Sequence, residues 1–334
     1  MGHGPDHPDQ RRIGHDVTGL DPFYVERFAV AGDVTWDQVY AGDADAIERA
    51  IAYGAPAGPY APPPLEIRDV LATGPHGPVP VRVYTAANTE DRAACLVWMH
   101  GGAFQFGDLD MLEAHAVAAE LAHRLRSVVV SVDYRLAPAF RYPVPVDDCL
   151  AALVWVADQS AVLGVDPRRI AIGGASAGAN LATATALRLL HEGGPQPRAV
   201  VLAYPAVHRE IPAPSPELAE RLPSLPPLAR FTPAMREQIY RAYLGDKFDE
   251  QPTYGVPALA DLAGLPPFVI ANAEYDDLRP SGEAFAMLLR EQGVEVDEWT
   301  EPGTAHGYLN AVGYVAGAKA TIDRFALRLR DHLA

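Results

Sequence analysis

One stretch constrains this chain more than any other: Gly173-Gly174-Ala175-Ser176-Ala177-Gly178-Ala179-Asn180. It follows a short apolar run, Arg169 to Ile172, and leads into Leu181-Ala182-Thr183-Ala184-Thr185-Ala186-Leu187, which reads as helix. A strand, a Gly-x-Ser-x-Gly turn and a helix in succession describe a nucleophile elbow. Backbone and neighbouring elements come so close in such a turn that a Cβ at Gly174 or Gly178 would collide. The turn lifts the Ser176 hydroxyl to the top of a sheet and aims the N-terminus of the following helix at it. A five-residue pattern is short for a chain with 28 glycines, so its weight rests on what else the sequence supplies.

A length of 334 residues allows one large domain with a substantial buried core. The net charge of -16 argues against nucleic acid or an anionic membrane as a partner. Cys95 and Cys149 lie in apolar runs and read as buried thiols of a reducing compartment rather than as a disulfide. No run approaches the roughly 18 apolar residues of a spanning helix, and the polar, proline-broken start lacks the apolar core of a signal peptide. A cytoplasmic protein is expected.

Residues 1 to 20 read as a flexible arm, and His3, His7 and His15 within it lack partners at metal-ligand spacing. Helical periodicity runs from Asp21 to about Tyr53, and Gly54 to Pro64 forms a proline- and glycine-rich linker. Eight segments then read as strands: Leu65–Ala72, Val79–Tyr84, Ala94–Met99, Ser127–Val132, Arg169–Ile172, Ala199–Tyr204, Pro267–Ala273 and Val294–Thr300. After the first two, which a Gly-Pro-His-Gly turn joins, they alternate with helical segments near 112–126, 146–159, 281–292 and 314–332. That alternation predicts an α/β fold with a mostly parallel eight-stranded sheet covered by helices on both faces. An insert at 207–251, rich in proline, interrupts it, with Thr232-Pro233 placed to start a helix. An insert at the carboxyl ends of strands lies where ligands bind, so 21–60 and 207–251 together are expected to form a helical cap. The core is then 65–206 and 252–334.

An acyl-transfer serine needs a base, a carboxylate to orient it, and donors for the developing oxyanion. On this kind of sheet they follow the order Ser, Asp or Glu, His. His306, between Gly303 and Gly307, falls on the loop after the last strand, as a base should. His115 and His123 lie in a helix before the elbow, His208 opens the insert and His332 is nearly terminal. The carboxylate belongs after the Pro267–Ala273 strand, where Glu274, Asp276 and Asp277 cluster; Asp276 is the first choice and Asp277 its rival. After the Ala94–Met99 strand come His100-Gly101-Gly102-Ala103-Phe104, and the N–H groups of Gly101, Gly102 and Ala177 are the expected oxyanion donors. Phe104, Phe106, Tyr204, Phe231, Ile239 and Tyr308 are candidates to line the substrate pocket.

These motifs together resemble the hormone-sensitive-lipase-like family of α/β-hydrolases, mostly bacterial carboxylesterases. Asp133-Tyr134-Arg135-Leu136-Ala137-Pro138, Tyr142-Pro143, and Glu274-Tyr275-Asp276 with Leu278-Arg279 add to the likeness, which runs from about Pro64 to the C-terminus. The resemblance implies the α/β-hydrolase fold, a cap from the N-terminal helices and the insert, no cofactor, and esters of short to medium acyl chains. The chain departs from the family pattern at Ala175, Ala179, Ala103, Asp277 and Pro280, none of them a candidate nucleophile or base.

Two further readings stay open on sequence: an amidase or peptidase with the same three residues, and a ligand-binding protein on the same scaffold, which would be expected to lack His306. The glycines match neither a P-loop nor a dinucleotide fingerprint, and Asp147-Asp148 and Asp276-Asp277 lack a third metal ligand, so no cofactor or metal is expected. Expected partners are a small-molecule ester and, as an open alternative, a second copy in a homodimer.

Overall fold

The computed structural model describes residues 19–56 and 58–334; the expected arm, apart from Gly19 and Leu20, lies outside the described residues. The eight strands are β1 (Leu65–Ala72), β2 (Val79–Ala86), β3 (Ala93–Met99), β4 (Val128–Val132), β5 (Val165–Ala175), β6 (Val200–Ala203), β7 (Phe268–Tyr275) and β8 (Val296–Ala305). They form one sheet in the order β1-β2-β4-β3-β5-β6-β7-β8. β2 pairs antiparallel with both β1 and β4, and every later pairing is parallel. The expected mostly parallel α/β sheet is therefore present. All seven residues of β3 are buried, as an apolar run covered on both faces requires.

The larger helices fill those faces. α1 (Phe23–Ala31), α2 (Trp36–Tyr40) and α3 (Ala44–Gly54) precede the sheet; α4 (Leu112–Leu125), α5 (Val144–Asp158) and the short α6 (Ser160–Leu163) link its first strands. α7 (Ala177–Glu192) follows the elbow, α8 (Pro216–Arg221) and α9 (Pro233–Leu244) belong to the insert, and α10 (Arg279–Glu291) and α11 (Ala316–Leu333) complete the chain. One core cluster joins β2, β3 and β4 to α5, α7 and α9; the other joins the opposite sheet face to α4 and α11.

Local chemistry explains the boundaries. Thr232 caps α9 by accepting from the Met235 N–H (3.3 Å), with Pro233 in the first helical position. The helical stretch expected over 21–53 divides into three helices. Gly32, with φ at 53°, ends the first, and Thr35 opens the second through a capping box with Gln38. The last strand is longer than the expected Val294–Thr300, because β8 stays paired with β7 as far as Ala305, opposite Tyr275. That extension carries the chain to His306.

The N-terminal helices and the insert touch. Ala31, Val34 and Ala46 pack with Leu228, and the Trp36 indole donates to the Leu228 carbonyl (3.1 Å). α1 also reaches the sheet end: the Tyr24 hydroxyl accepts from the Ala305 N–H (3.1 Å), and the Asp21 N–H donates to the Gly303 carbonyl (2.9 Å).

Candidate active site

Ser176 links β5 to α7 with φ 54° and ψ −115°, a backbone state that costs a residue with a side chain about 1–3 kcal/mol. Four bonds hold it there. Its N–H donates to the Ala203 carbonyl (2.9 Å), and its own carbonyl accepts from the N–H groups of Ala179 (3.1 Å), Asn180 (3.3 Å) and Ala206 (3.3 Å). The glycines on either side leave no alternative. A Cβ on Gly174 would lie 2.7 Å from the Met99 carbonyl oxygen, and one on Gly178 would lie 2.7 Å from the Met99 carbonyl carbon. Both are far inside van der Waals contact, so the elbow packs against the end of β3 only with glycine at these positions.

His306 follows β8, and Gly307, at φ 76°, turns the chain away behind it. Its Nε2 stands 2.9 Å from Ser176 Oγ and its Nδ1 2.7 Å from Asp276 Oδ2. Asp276 is fully buried, and its other oxygen accepts the Leu278 N–H (2.8 Å). A carboxylate can only accept, so Nδ1 carries the proton and Nε2 is left to accept one from Ser176. The imidazole is walled by the rings of Tyr204 and Phe231, with centroids 4.8 and 4.5 Å away.

The three acids after β7 are used differently. Glu274 accepts the Gly303 N–H (2.7 Å) and pairs with Arg221 of α8, so it fixes the base loop. Asp276 faces His306. Asp277 binds Arg230 through Nε (2.8 Å) and Nη2 (3.0 Å) and also accepts the Phe231 N–H (2.8 Å). The rival carboxylate therefore ties down the insert and does not reach the imidazole.

The oxyanion expectation changes at one residue. The Gly101 N–H is donated to Glu113 Oε2 (2.5 Å), so it is occupied. Among the described residues, the N–H groups of Gly102, Ala103 and Ala177 have no protein acceptor. Gly102 and Ala103 both have positive φ, at 109° and 55°, in the tight turn that follows β3. Of the expected donors, Gly101 is thus taken, and Ala103 offers an N–H beside that of Gly102.

Glu113 was not singled out by sequence motifs. It is buried in the first turn of α4, and burial pushes its carboxyl above the usual carboxylate range. It accepts the Tyr204 hydroxyl as well as the Gly101 N–H. A lone acid between Leu112 and Ala114 at the start of an apolar helix was the available signal. On the other side of the loop His100 stacks on Tyr134 with centroids 4.5 Å apart, and burial pushes its imidazole down to about 4.

A cavity of about 350 Å³, counting its open mouth, adjoins Ser176. Of the six residues expected to line it, Phe104, Phe231 and Ile239 do. Three do not. Phe106 points outward and is half exposed; Tyr204 is buried behind His306 with its hydroxyl on Glu113; Tyr308 is buried too, with its hydroxyl on Thr321 (2.7 Å). Ala206, His208, Ile211, Arg236, Tyr240 and Leu278 complete much of the wall, mostly from the insert and its hinges.

Elsewhere the acidic pair near the start of α5 is used in ion pairs, Asp147 with Arg188 (2.5 Å) and Asp148 with Arg135 (2.5 Å). Cys95 and Cys149 are buried free thiols. Among the described residues no cluster of three metal-ligating side chains occurs, and no helix is long and apolar enough to cross a membrane.

Residues 96–310 match the family described by the alpha/beta hydrolase fold. The carboxylesterase NlhH of Mycobacterium tuberculosis is 39% identical over 256 residues, covering 73% of this chain and 75% of that protein. Esterase LipI of Mycobacterium tuberculosis is 35% identical over 280 residues, covering 80% and 82%. Among solved structures, the hyperthermophilic esterase from the archaeon Pyrobaculum calidifontis aligns with a TM-score of 0.76 at 31% identity, over 94% of this chain and 98% of that one.

Proposed function

Because the chain belongs to the hormone-sensitive-lipase-like family of α/β-hydrolases and is a carboxylic ester hydrolase, we propose that it works through an acyl-enzyme on Ser176, with His306 as base and Asp276 orienting it. The observation that carries this reading is the continuous chain from Ser176 Oγ to His306 Nε2 (2.9 Å) and from His306 Nδ1 to Asp276 Oδ2 (2.7 Å). Ser176 attacks the ester carbonyl as its proton passes to Nε2, and the buried Asp276 stabilises the imidazolium that forms. The carbonyl oxygen, now negative, is held by the N–H groups of Gly102, Ala103 and Ala177, while Glu113 keeps Gly101 and the start of that loop in place. His306 then returns the proton to the departing alcohol, and water repeats the sequence to release the acid.

The substrate class is a small carboxylic ester of short to medium acyl chain. Its support is the limited cavity, with Phe231, Ile239 and Tyr240 across it from Ser176. Residues 21–60 and 207–251 act as the cap, supported by the packing of Leu228 against Ala31, Val34 and Ala46. A p-nitrophenyl ester series from acetate to laurate tests the reading. Turnover that peaks at short or medium chains and vanishes in Ser176→Ala is expected. Retained activity in that variant overturns the nucleophile assignment, and a peak at laurate overturns the substrate class.

A further inference from the structure

Resting on the esterase reading above, we propose that Arg236 makes this site selective for esters that carry a carboxylate in addition to the scissile bond. The helix α9 presents Arg236, Ile239 and Tyr240 to the cavity beside Ser176, one face at three- and four-residue spacing. Most of the remaining wall is apolar: Ala103, Phe104, Ala177, Ala206, Ile211, Phe231 and Leu278. Its other polar members are spoken for. The Tyr240 hydroxyl donates to the Ala206 carbonyl (2.9 Å), and His208 Nδ1 meets Ser281 Oγ at 2.9 Å. Burial pushes His208 down to about 4, so at neutral pH Arg236 is the one charged side chain among the described residues of the wall.

Among the described residues that charge has no ion-pair partner of its own. Arg236 Nη1 donates to the Phe231 carbonyl (2.5 Å), while Nε is buried without an acceptor among the described residues. The acid whose charge acts on it is Asp277, but both oxygens of Asp277 are already bound by Arg230 and the Phe231 N–H. Burial pulls the guanidinium below its ordinary range, the direction expected where the charged form is left under-compensated. A half-buried guanidinium with spare donors, facing an apolar cavity in a chain of net charge -16, is an unusual arrangement. A ligand carboxylate supplies the missing partner, in the two-pronged geometry a guanidinium offers. The carboxylate can reside on the acyl side, as in a dicarboxylic acid half-ester, or on the alcohol side.

The test compares kcat/KM for matched pairs. On the acyl side the pair is mono-p-nitrophenyl glutarate against p-nitrophenyl pentanoate; on the alcohol side it is 4-acetoxybenzoate against its methyl ester. The anionic member is expected to be preferred in one pair, and that pair identifies the side. In Arg236→Met the anionic-to-neutral ratio is expected to fall by about 10- to 100-fold, the range of a lost charged hydrogen bond. Arg236→Lys should restore part of it. No anionic preference in either pair, or a ratio that Arg236→Met leaves unchanged, overturns the proposal while leaving the esterase reading intact. Failure to hydrolyse any of the four esters overturns both.

Discussion

Asp276→Asn isolates the least redundant contact in the site. The side chain has two fixed neighbours: Oδ1 accepts the Leu278 N–H at 2.8 Å and Oδ2 meets His306 Nδ1 at 2.7 Å. In the asparagine variant the amide oxygen is drawn to Leu278, because only an oxygen can accept that N–H. The amide nitrogen then faces Nδ1 and donates to it. The imidazole proton is forced onto Nε2, which stands 2.9 Å from Ser176 Oγ and can no longer accept a proton from it. Loss of the correct tautomer in a serine hydrolase of this type lowers kcat by about 10⁴-fold, or about 5.4 kcal/mol of transition-state stabilisation. Asp277→Asn sits one residue away and acts elsewhere. It weakens the pairing with Arg230 of the insert and is expected to change kcat by less than about tenfold, with its effect chiefly on KM. Initial rates with p-nitrophenyl butyrate, alongside thermal melts that show both variants folded, decide the matter. A folded Asp276→Asn enzyme within tenfold of wild type, or an Asp277→Asn enzyme that is the more damaged, refutes the reasoning.

Three further outcomes are expected. Glu113→Ala removes the acceptor of both the Gly101 N–H and the Tyr204 hydroxyl, so kcat should fall by about 10- to 100-fold with a smaller change in KM; an unchanged kcat contradicts the positioning role. Gly178→Ala puts a methyl against the Met99 carbonyl and should destabilise the fold by at least about 1–3 kcal/mol in urea unfolding, whereas a change within about 0.5 kcal/mol contradicts the close-approach argument. Burial pushes His100 and His208 down to about 4, so between that value and the unfolded value of about 6.5 the unfolded chain holds protons there that the folded chain does not. Stability should therefore fall as pH is lowered through that window, and His208→Gln should remove close to one proton from the uptake on unfolding near pH 5; an unaltered pH slope in that variant contradicts it.

Much of this could be read from the sequence because the strongest constraints are local. The inner strands appear as apolar runs, since a sheet covered on both faces leaves little place there for polar residues, as β3 illustrates. Gly174 and Gly178 mark the elbow because contacts to Met99 exclude any side chain. Other features depend on distant partners. Asp276 and Asp277 are adjacent in sequence, and only the positions of His306 and Arg230 separate them. Gly101 and Ala103 are separated by Glu113, twelve residues along on α4, which takes the first N–H. Tyr204 and Tyr308 look like pocket aromatics until their hydroxyls are seen bound to Glu113 and Thr321. Arg236 carries no motif, and its meaning comes only from the apolar wall around it.

The central claim is a covalent acyl-enzyme on Ser176. Its most direct test is reaction with paraoxon, which phosphorylates a serine activated by a neighbouring imidazole, followed by peptide mass spectrometry. One diethyl phosphate per chain on Ser176, formed in step with the loss of esterase activity and absent in His306→Ala, is the expected result. A label on another residue, or full esterase activity after Ser176 is labelled, contradicts it.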